Sequence, residues 1–121
     1  MKYLVVDDSR MARKMLIKSL KDLEIDDGEI VQCSNGQEAI DLYKGNNFDI
    51  CFMDLTMPVV NGFDATEIIY NYDNDAKIII VSADIQESSM TEAKSKGAIG
   101  FIKKPINKDN LSVMLTKLGL I

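Results

Sequence analysis

The chain has 121 residues, of which 46% are hydrophobic and 27% are charged, and its formal net charge is -5. This length suits one domain with one core, so residues 1–121 are predicted to form a single domain. The sequence contains no histidine, which excludes Ser-His-Asp and Cys-His catalysis by this chain and metal sites that need an imidazole ligand.

Five short apolar runs alternate along the chain with longer segments of helical period. Three of the runs are apolar throughout, as strands are when helices cover both faces of a parallel sheet. The runs predicted to be strands are residues 3–6, 30–33, 50–53, 78–81 and 99–102.

Apolar residues three and four positions apart, and Asn-Gly pairs at segment starts, indicate five helices. In chain order these signals are Ala12, Leu16, Leu20 and Leu23, then Asn35-Gly36, then Asn61-Gly62, then residues 86–96 stopping at Gly97, then Leu111, Met114, Leu115 and Leu118. Strand and helix thus alternate five times. The pattern predicts an α/β fold of the flavodoxin-like, doubly wound (βα)5 type, with a five-stranded parallel sheet in strand order 2-1-3-4-5.

The two cysteines, Cys33 and Cys51, have no metal-binding spacing, and Cys51 lies inside an apolar strand. We expect both thiols to be reduced and Cys51 to be a core residue. No apolar run approaches the roughly 20 residues that span a bilayer, and the N-terminus lacks a secretion signal. The protein is therefore expected to be soluble and cytoplasmic, without membrane contact. Its acidic balance also argues against nucleic-acid binding.

Polar residues follow four of the predicted strands at the same edge of the sheet. Asp7 and Asp8 follow the first strand and Asp54 follows the third. These strands are neighbours where the winding reverses, so their carboxylates should converge there. Ser82 and Lys104 follow the fourth and fifth strands. Such a group suits Mg2+ and a phosphoryl ligand. With no histidine in the chain, the nucleophile would be a carboxylate.

Each of these residues also has an ordinary structural explanation. Asp8 and Ser9 would cap the first helix, and Asp54 would begin a loop. Ser82 would cap the fourth helix, and Lys104 would be an exposed lysine. Their coincidence at one edge of one sheet favours the shared site.

Four segments in this order resemble the receiver domain of two-component response regulators, in its single-domain chemotaxis type, over the whole chain. The segments are Val-Val-Asp-Asp-Ser at 5–9, Met-Asp-Leu-Thr-Met-Pro at 53–58 with Asn-Gly at 61–62, Val-Ser-Ala at 81–83 and Phe-Ile-Lys-Lys-Pro at 101–105. The resemblance implies a phosphorylation-activated signalling switch. Its only reactions would be its own phosphorylation and dephosphorylation, so it would not be an enzyme.

The resemblance also implies roles for single residues around the acidic cluster. Asp54 would be the phosphoacceptor and a ligand of Mg2+. Asp8 would bind the ion directly and Asp7 largely through water. The backbone carbonyl of Thr56 would be a further ligand.

Other roles concern the phosphoryl group and the switch. Ser82 would contact the phosphoryl group, Lys104 would pair with it, and the bond from Lys104 to Pro105 would be cis. Phe101 would swing between outward and inward rotamers, although a half-buried strand residue is the alternative. Asp84, like Thr56, matches a position that tunes dephosphorylation. It would orient water, repel it, or lie solvated in a loop.

The resemblance implies a histidine kinase or a histidine phosphotransfer protein as the phosphoryl donor. Arg10, Met11, Arg13 and Lys14 on the first helix are candidate docking residues, with a merely solvated basic helix as the alternative. A downstream protein would bind the face of the fourth helix, fifth strand and fifth helix. We expect a monomer. The chain ends directly after the fifth helix, so a full gene product would act by binding another protein.

Alternatives remain open at this point. The chain would be a phosphorelay intermediate, a receiver excised from a longer regulator, or a degenerate receiver that only scaffolds. A phosphohydrolase of the haloacid-dehalogenase type would need a second aspartate where Thr56 stands, together with a cap insertion. A flavodoxin-like FMN module would suffer repulsion between Asp7, Asp8 and the FMN phosphate.

Overall fold

Helices cover both faces of one parallel sheet in the computed structural model, which describes residues 1–23 and 28–121. The sheet order is β2-β1-β3-β4-β5, and all four strand pairings are parallel. The predicted fold is therefore confirmed, and the strand bounds differ from the predicted ones by at most one residue. The elements are β1 (Lys2–Val6), α1 (Arg10–Asp22), β2 (Glu29–Cys33), α2 (Gly36–Gly45), β3 (Ile50–Met53), α3 (Gly62–Tyr72), β4 (Ile78–Ser82), α4 (Glu87–Ser95), β5 (Gly100–Lys103) and α5 (Lys108–Lys117).

Alternation along the strands divides the core into two layers, because successive side chains point to opposite faces. One layer packs against α1 and α5 and includes Val5, Phe52, Ile79, Leu16 and Leu111. The other packs against α2, α3 and α4 and includes Leu4, Met53, Ile80, Ala39 and Ile69. Every residue of β3 and β4 is buried, whereas the edge strand β2 is largely exposed or half-buried. This explains why the central strands are apolar throughout.

Side-chain caps start four of the helices. Ser9, Asn35, Asn61 and Asn107 each accept a hydrogen bond from a backbone N–H in the first turn of α1, α2, α3 and α5, respectively. The two Asn-Gly signals thus mark true helix starts. Gly97 follows α4 with a φ of 118°, in the left-handed region that glycine favours.

The cysteines agree with the predictions from sequence. Within the described part of the chain both are free thiols, and both are buried. Burial raises the pKa of the Cys33 thiol to about 12 and also raises the pKa of Cys51. Neither thiol is therefore a reactive thiolate at neutral pH. Among the described residues, none of the helices has the length and apolar character needed to span a bilayer.

Candidate functional site

The carboxylates of Asp7, Asp8 and Asp54 lie together at the carboxyl edge of the sheet. Asp7 follows β1 directly and donates its N–H to the carbonyl of Cys33 at 3.2 Å. Asp54 follows β3 and donates its N–H to the carbonyl of Val6 at 3.0 Å. The strand ladders thus extend into the site. One oxygen from each carboxylate lies within 4.8 Å of the others, with Asp7 and Asp54 buried and Asp8 exposed.

Lys104 connects two of these acids. It follows β5, and its backbone N–H bonds to the carbonyl of Ser82 at 3.0 Å. Its Nζ lies 2.6 Å from Oδ2 of Asp7 and 3.5 Å from Oδ1 of Asp54. Burial alone would lower the pKa of the ammonium, but the hydrogen bond to Asp7 and the charge of Asp54 outweigh it and raise that pKa. Lys104 is therefore a fixed positive charge at neutral pH. The bond from Lys104 to Pro105 is cis, as the resemblance implies.

The pKa of the Asp54 carboxyl is shifted by its surroundings. Burial, followed by the neighbouring charge of Asp7, raises its pKa from 3.8 to about 6, while Lys104 opposes this shift. A buried carboxylate beside a second carboxylate is costly. One lysine only partly offsets that cost. The arrangement therefore favours a further cation with oxygen ligands.

Ser82 lies at the end of β4 rather than after it, because its backbone pairs with Lys103 of β5. Its hydroxyl is buried and accepts a hydrogen bond from the N–H of Asp84 at 3.0 Å. Since Ser82 is four residues from the Gln86 that precedes α4, it belongs to the sheet edge and not to the helix cap. The structure thus places Ser82 at the same sheet edge as Lys104, whose backbone N–H its carbonyl accepts.

The carboxylate of Asp84 is engaged with the start of α4. Its Oδ1 accepts the N–H of Gln86 at 3.0 Å, and its Oδ2 accepts the hydroxyl of Ser89 at 2.8 Å. These two bonds lower the pKa of Asp84. Asp84 is nonetheless exposed in the loop before α4, as the solvated loop acid among the three roles would be, and its part in dephosphorylation stays a prediction.

The loop between β3 and α3 packs closely against the backbone of Asp54. Gly62 donates its N–H to the carbonyl of Leu55 at 2.9 Å, and a Cβ at Gly62 would come within 1.9 Å of the Asp54 carbonyl oxygen. The Asn-Gly pair thus starts a helix and also permits this close approach. Thr56 lies exposed in the same loop, and Val59 has a φ of 68°. Phe101 is half-buried in β5 and packs against the core beneath α2, α3 and α4.

Arg13 is a residue whose role sequence reasoning missed. The sequence predicts it as part of an exposed docking surface, but the residue is half-buried. Its Nη1 donates to the carbonyl of Asp7 at 2.6 Å, and its Nε donates to Oε1 of Gln32 at 3.2 Å. The signal was present, because Arg13 lies three residues before the buried Leu16 and so shares the sheet-facing side of α1.

An apolar cavity of about 370 Å³ adjoins the acidic cluster. It lies between α1 and the segment after β5, and Asp7 and Lys104 belong to its lining. Its apolar walls include Met11, Met15 and Pro105. Met11 is largely exposed, so the cavity opens beside an accessible side chain of α1.

Comparison with known proteins gives consistent matches over nearly the whole chain. A family model described as the response regulator receiver domain matches residues 3–116. The chemotaxis protein CheY of Thermotoga maritima is 40% identical over 118 residues, covering 96% of this chain and 95% of its own. CheY of Halobacterium salinarum is 38% identical over 118 residues, covering 93% and 95%, respectively.

Solved structures of response regulators are also similar to this chain over nearly its whole length. A chain of the CheX-CheY-BeF3-Mg2+ complex of Borrelia burgdorferi has a TM-score of 0.89 at 28% identity, covering 100% of this chain and 90% of that one. The response regulator TrrA of Thermotoga maritima, in complex with Mg2+ and BeF, has a TM-score of 0.83 at 29% identity, covering 99% and 98%.

Proposed function

The chain belongs to the response regulator receiver domain family, and from that premise we propose that Asp54 is its phosphoacceptor. The protein is a phosphoacceptor signalling switch of CheY-like fold. The observation that carries the assignment to Asp54 is its position. Its carboxylate is buried between two further acids within 4.8 Å and the ammonium of Lys104 at 3.5 Å. We also propose that residues 1–121 act as one receiver domain.

The residues around Asp54 fit Mg2+. Three carboxylates that repel one another supply the hard oxygen ligands that this ion prefers, and the exposed Asp8 leaves the site open to water. We assign Asp7, Asp8, Asp54 and the backbone carbonyl of Thr56 to the metal site. When bound, Mg2+ neutralises charge on phosphoryl oxygens. The solved structures of two relatives are complexes with magnesium and a beryllium fluoride, which supports this assignment.

The chemistry of the remaining groups follows from their contacts. A carboxylate oxygen of Asp54 forms a bond to phosphorus while the bond from phosphorus to the donor's imidazole nitrogen breaks, and the imidazole keeps the electron pair. Lys104 moves from Asp7 to a phosphoryl oxygen, which offers it more negative charge. Ser82 donates its hydroxyl to a second phosphoryl oxygen. Hydrolysis of the acyl phosphate by water returns Asp54, so the chain acts only on itself.

Ser82 connects phosphorylation to the surface. To reach the phosphoryl group its hydroxyl turns away from the N–H of Asp84, which it now accepts at 3.0 Å. The space that this movement vacates lets the half-buried Phe101 turn inward and biases a two-state equilibrium. The face of α4, β5 and α5 then changes shape. We propose that a downstream protein reads this face.

Membership of the receiver family implies a histidine kinase or a histidine phosphotransfer protein as the donor, and the lack of histidine in this chain is consistent with a donor that lies elsewhere. Arg10, Met11 and Lys14 are exposed on α1, and Met11 lines the apolar cavity to which Asp7 and Lys104 also belong. Together the three residues offer an apolar and basic docking surface. Arg13 remains a candidate docking residue, and it also contacts the backbone of Asp7.

Sequence identity of 38 to 40% to CheY proteins supports a chemotaxis-type pathway. We propose that the chain acts in it as a cytoplasmic monomer, through contacts with other proteins. The alternatives of a phosphorelay intermediate and of a receiver cut from a longer regulator share the same site chemistry.

The test is phosphorylation by acetyl phosphate with Mg2+, followed by intact mass measurement. We expect a gain of one phosphoryl group that is stable in acid and lost with hydroxylamine. The gain should vanish in Asp54→Asn and persist in Asp41→Asn, which changes an exposed acid on α2. A wild-type protein that gains no mass would refute the proposal, and turnover of a generic phosphatase substrate would favour the phosphohydrolase instead.

A further inference from the structure

We propose that Arg13 is a positioning residue for the magnesium site, acting through the peptide that joins Asp7 to Asp8. The inference deepens the proposed function and rests on it, because it concerns the same carboxylates. The roles drawn from the family resemblance do not include it. It starts from a contact made by α1 with the backbone at the end of β1.

The guanidinium of Arg13 holds two oxygens at once. Nη1 lies 2.6 Å from the carbonyl oxygen of Asp7, and Nε lies 3.2 Å from the side-chain oxygen of Gln32. Hydrogen bonds from a charged donor are stronger than those between neutral groups, and the planar guanidinium fixes the angle between them. Arg13 therefore ties α1 to the ends of both β1 and β2.

The carbonyl that Arg13 holds belongs to the peptide between two of the proposed ligand residues. Rotation of that peptide would move the carboxylates of Asp7 and Asp8 relative to each other. The N–H of Asp7 is already fixed by Cys33 at 3.2 Å, and its Oδ1 accepts the N–H of Ser9 at 2.9 Å. The bond from Arg13 fixes the carbonyl side of the same residue. Groups that orient metal ligands in this way commonly govern metal affinity.

The positive charge of Arg13 and its positioning of the peptide between Asp7 and Asp8 have opposite effects on Mg2+ affinity. Both acceptors of Arg13 are neutral oxygens, so its positive charge opposes a second cation in the neighbouring acidic cluster. Removal of that charge alone would tighten Mg2+ binding. Loss of the fixed peptide would weaken it. The sign of the change therefore separates the two roles.

The test measures Mg2+ affinity by titration calorimetry for wild type, Arg13→Ala, Arg13→Lys, Gln32→Ala and Lys14→Ala. We expect binding to be about 10-fold weaker in Arg13→Ala, as for other residues that orient metal ligands, and weaker to a smaller degree in Arg13→Lys and Gln32→Ala. Lys14→Ala removes a neighbouring exposed charge and should bind equally well or more tightly. In reactions of the Arg13 and Gln32 variants with acetyl phosphate, the Mg2+ concentration that gives the half-maximal rate should rise above the wild-type value. The rate at saturating Mg2+ should be retained.

Folding is checked separately by urea unfolding in EDTA. If Arg13→Ala does not fold, Arg13→Lys and Gln32→Ala decide the matter. Unchanged or tighter Mg2+ binding in the folded variants overturns the role of Arg13 and leaves the proposed function intact. A wild-type protein that binds no Mg2+ overturns the proposed metal site itself, and the inference falls with it.

Discussion

The ammonium group of Lys104 lies 2.6 Å from the carboxylate of Asp7, closer than its 3.5 Å distance from Asp54. In this conformation the lysine thus neutralises a proposed metal ligand more directly than the proposed phosphoacceptor. The pairing lies at a buried site where the side chain of Lys104 is only 24% exposed. The lysine therefore holds the acidic cluster together when no other cation does.

Replacement of this lysine should destabilise the metal-free protein. We expect Lys104→Met to lower the free energy of unfolding in EDTA by roughly 2 kcal/mol, because two buried carboxylates lose their cation. Urea unfolding measures the loss, and Mg2+ should reduce it. Lys103→Met changes an exposed neighbour and should have little effect. Equal losses in the two variants would contradict the prediction.

Stability of the metal-free protein should depend on the protonation of Asp54. Its pKa is about 6 in the folded chain against an ordinary value of 3.8, so the folded state holds the proton more tightly. The stabilisation of the folded state by the proton on Asp54 is full below about pH 4 and is lost as the pH rises through about 6. Asp54→Asn, which imitates the protonated form, should therefore raise the free energy of unfolding at pH 8 by roughly 2 kcal/mol.

The measurement for Asp54 is urea unfolding in EDTA between pH 4 and pH 8. The wild type should lose stability relative to Asp54→Asn across this interval. Asp75→Asn changes an exposed acid and should follow the wild-type curve. If the free energy of unfolding of wild type and of Asp54→Asn changed with pH in parallel, the pKa of Asp54 would not be raised in the folded chain. Saturating Mg2+ should remove the difference by favouring the charged carboxylate.

Val59 carries backbone strain in the loop beside Asp54. It is β-branched, 79% exposed, and has a φ of 68°. Side chains rarely adopt this conformation, and glycine adopts it without strain. Val59→Gly should therefore raise stability by about 1 kcal/mol. The matched control is Val113→Gly in α5, where valine is 67% exposed and glycine should destabilise the helix. If both variants lost stability, the prediction that the backbone at Val59 is strained would be refuted.

The fold followed from sequence because its signals are local. Apolar runs fixed β3 and β4, and the Asn-Gly pairs fixed the starts of α2 and α3. Convergence of Asp7, Asp8 and Asp54 followed from sheet topology alone. The preference of Lys104 for Asp7 over Asp54 could not be predicted, since it depends on differences of about an ångström in packing.

Two residues show the remaining limits of sequence reasoning. Arg13 fits both a solvated basic helix and a half-buried contact with the backbone of Asp7, and only the packing of α1 on the sheet shows the second. The partner of Asp84 depends on where α4 begins. That start brings Ser89 within 2.8 Å of its carboxylate, whereas the sequence placed the helix one residue earlier.

The carboxylate of Asp84 holds the start of α4 through Gln86 and Ser89. It accepts the N–H of Gln86, while the residue's own N–H bonds to the hydroxyl of Ser82. Asp84→Ala should therefore speed hydrogen exchange at the backbone N–H of Gln86, while the backbone N–H of residue 84 keeps its bond to the hydroxyl of Ser82. Exchange measured by mass spectrometry should show this around residue 86. Glu87→Ala, in the first turn of the same helix, is the control. Unchanged exchange in Asp84→Ala would mean that water replaces the carboxylate at no cost.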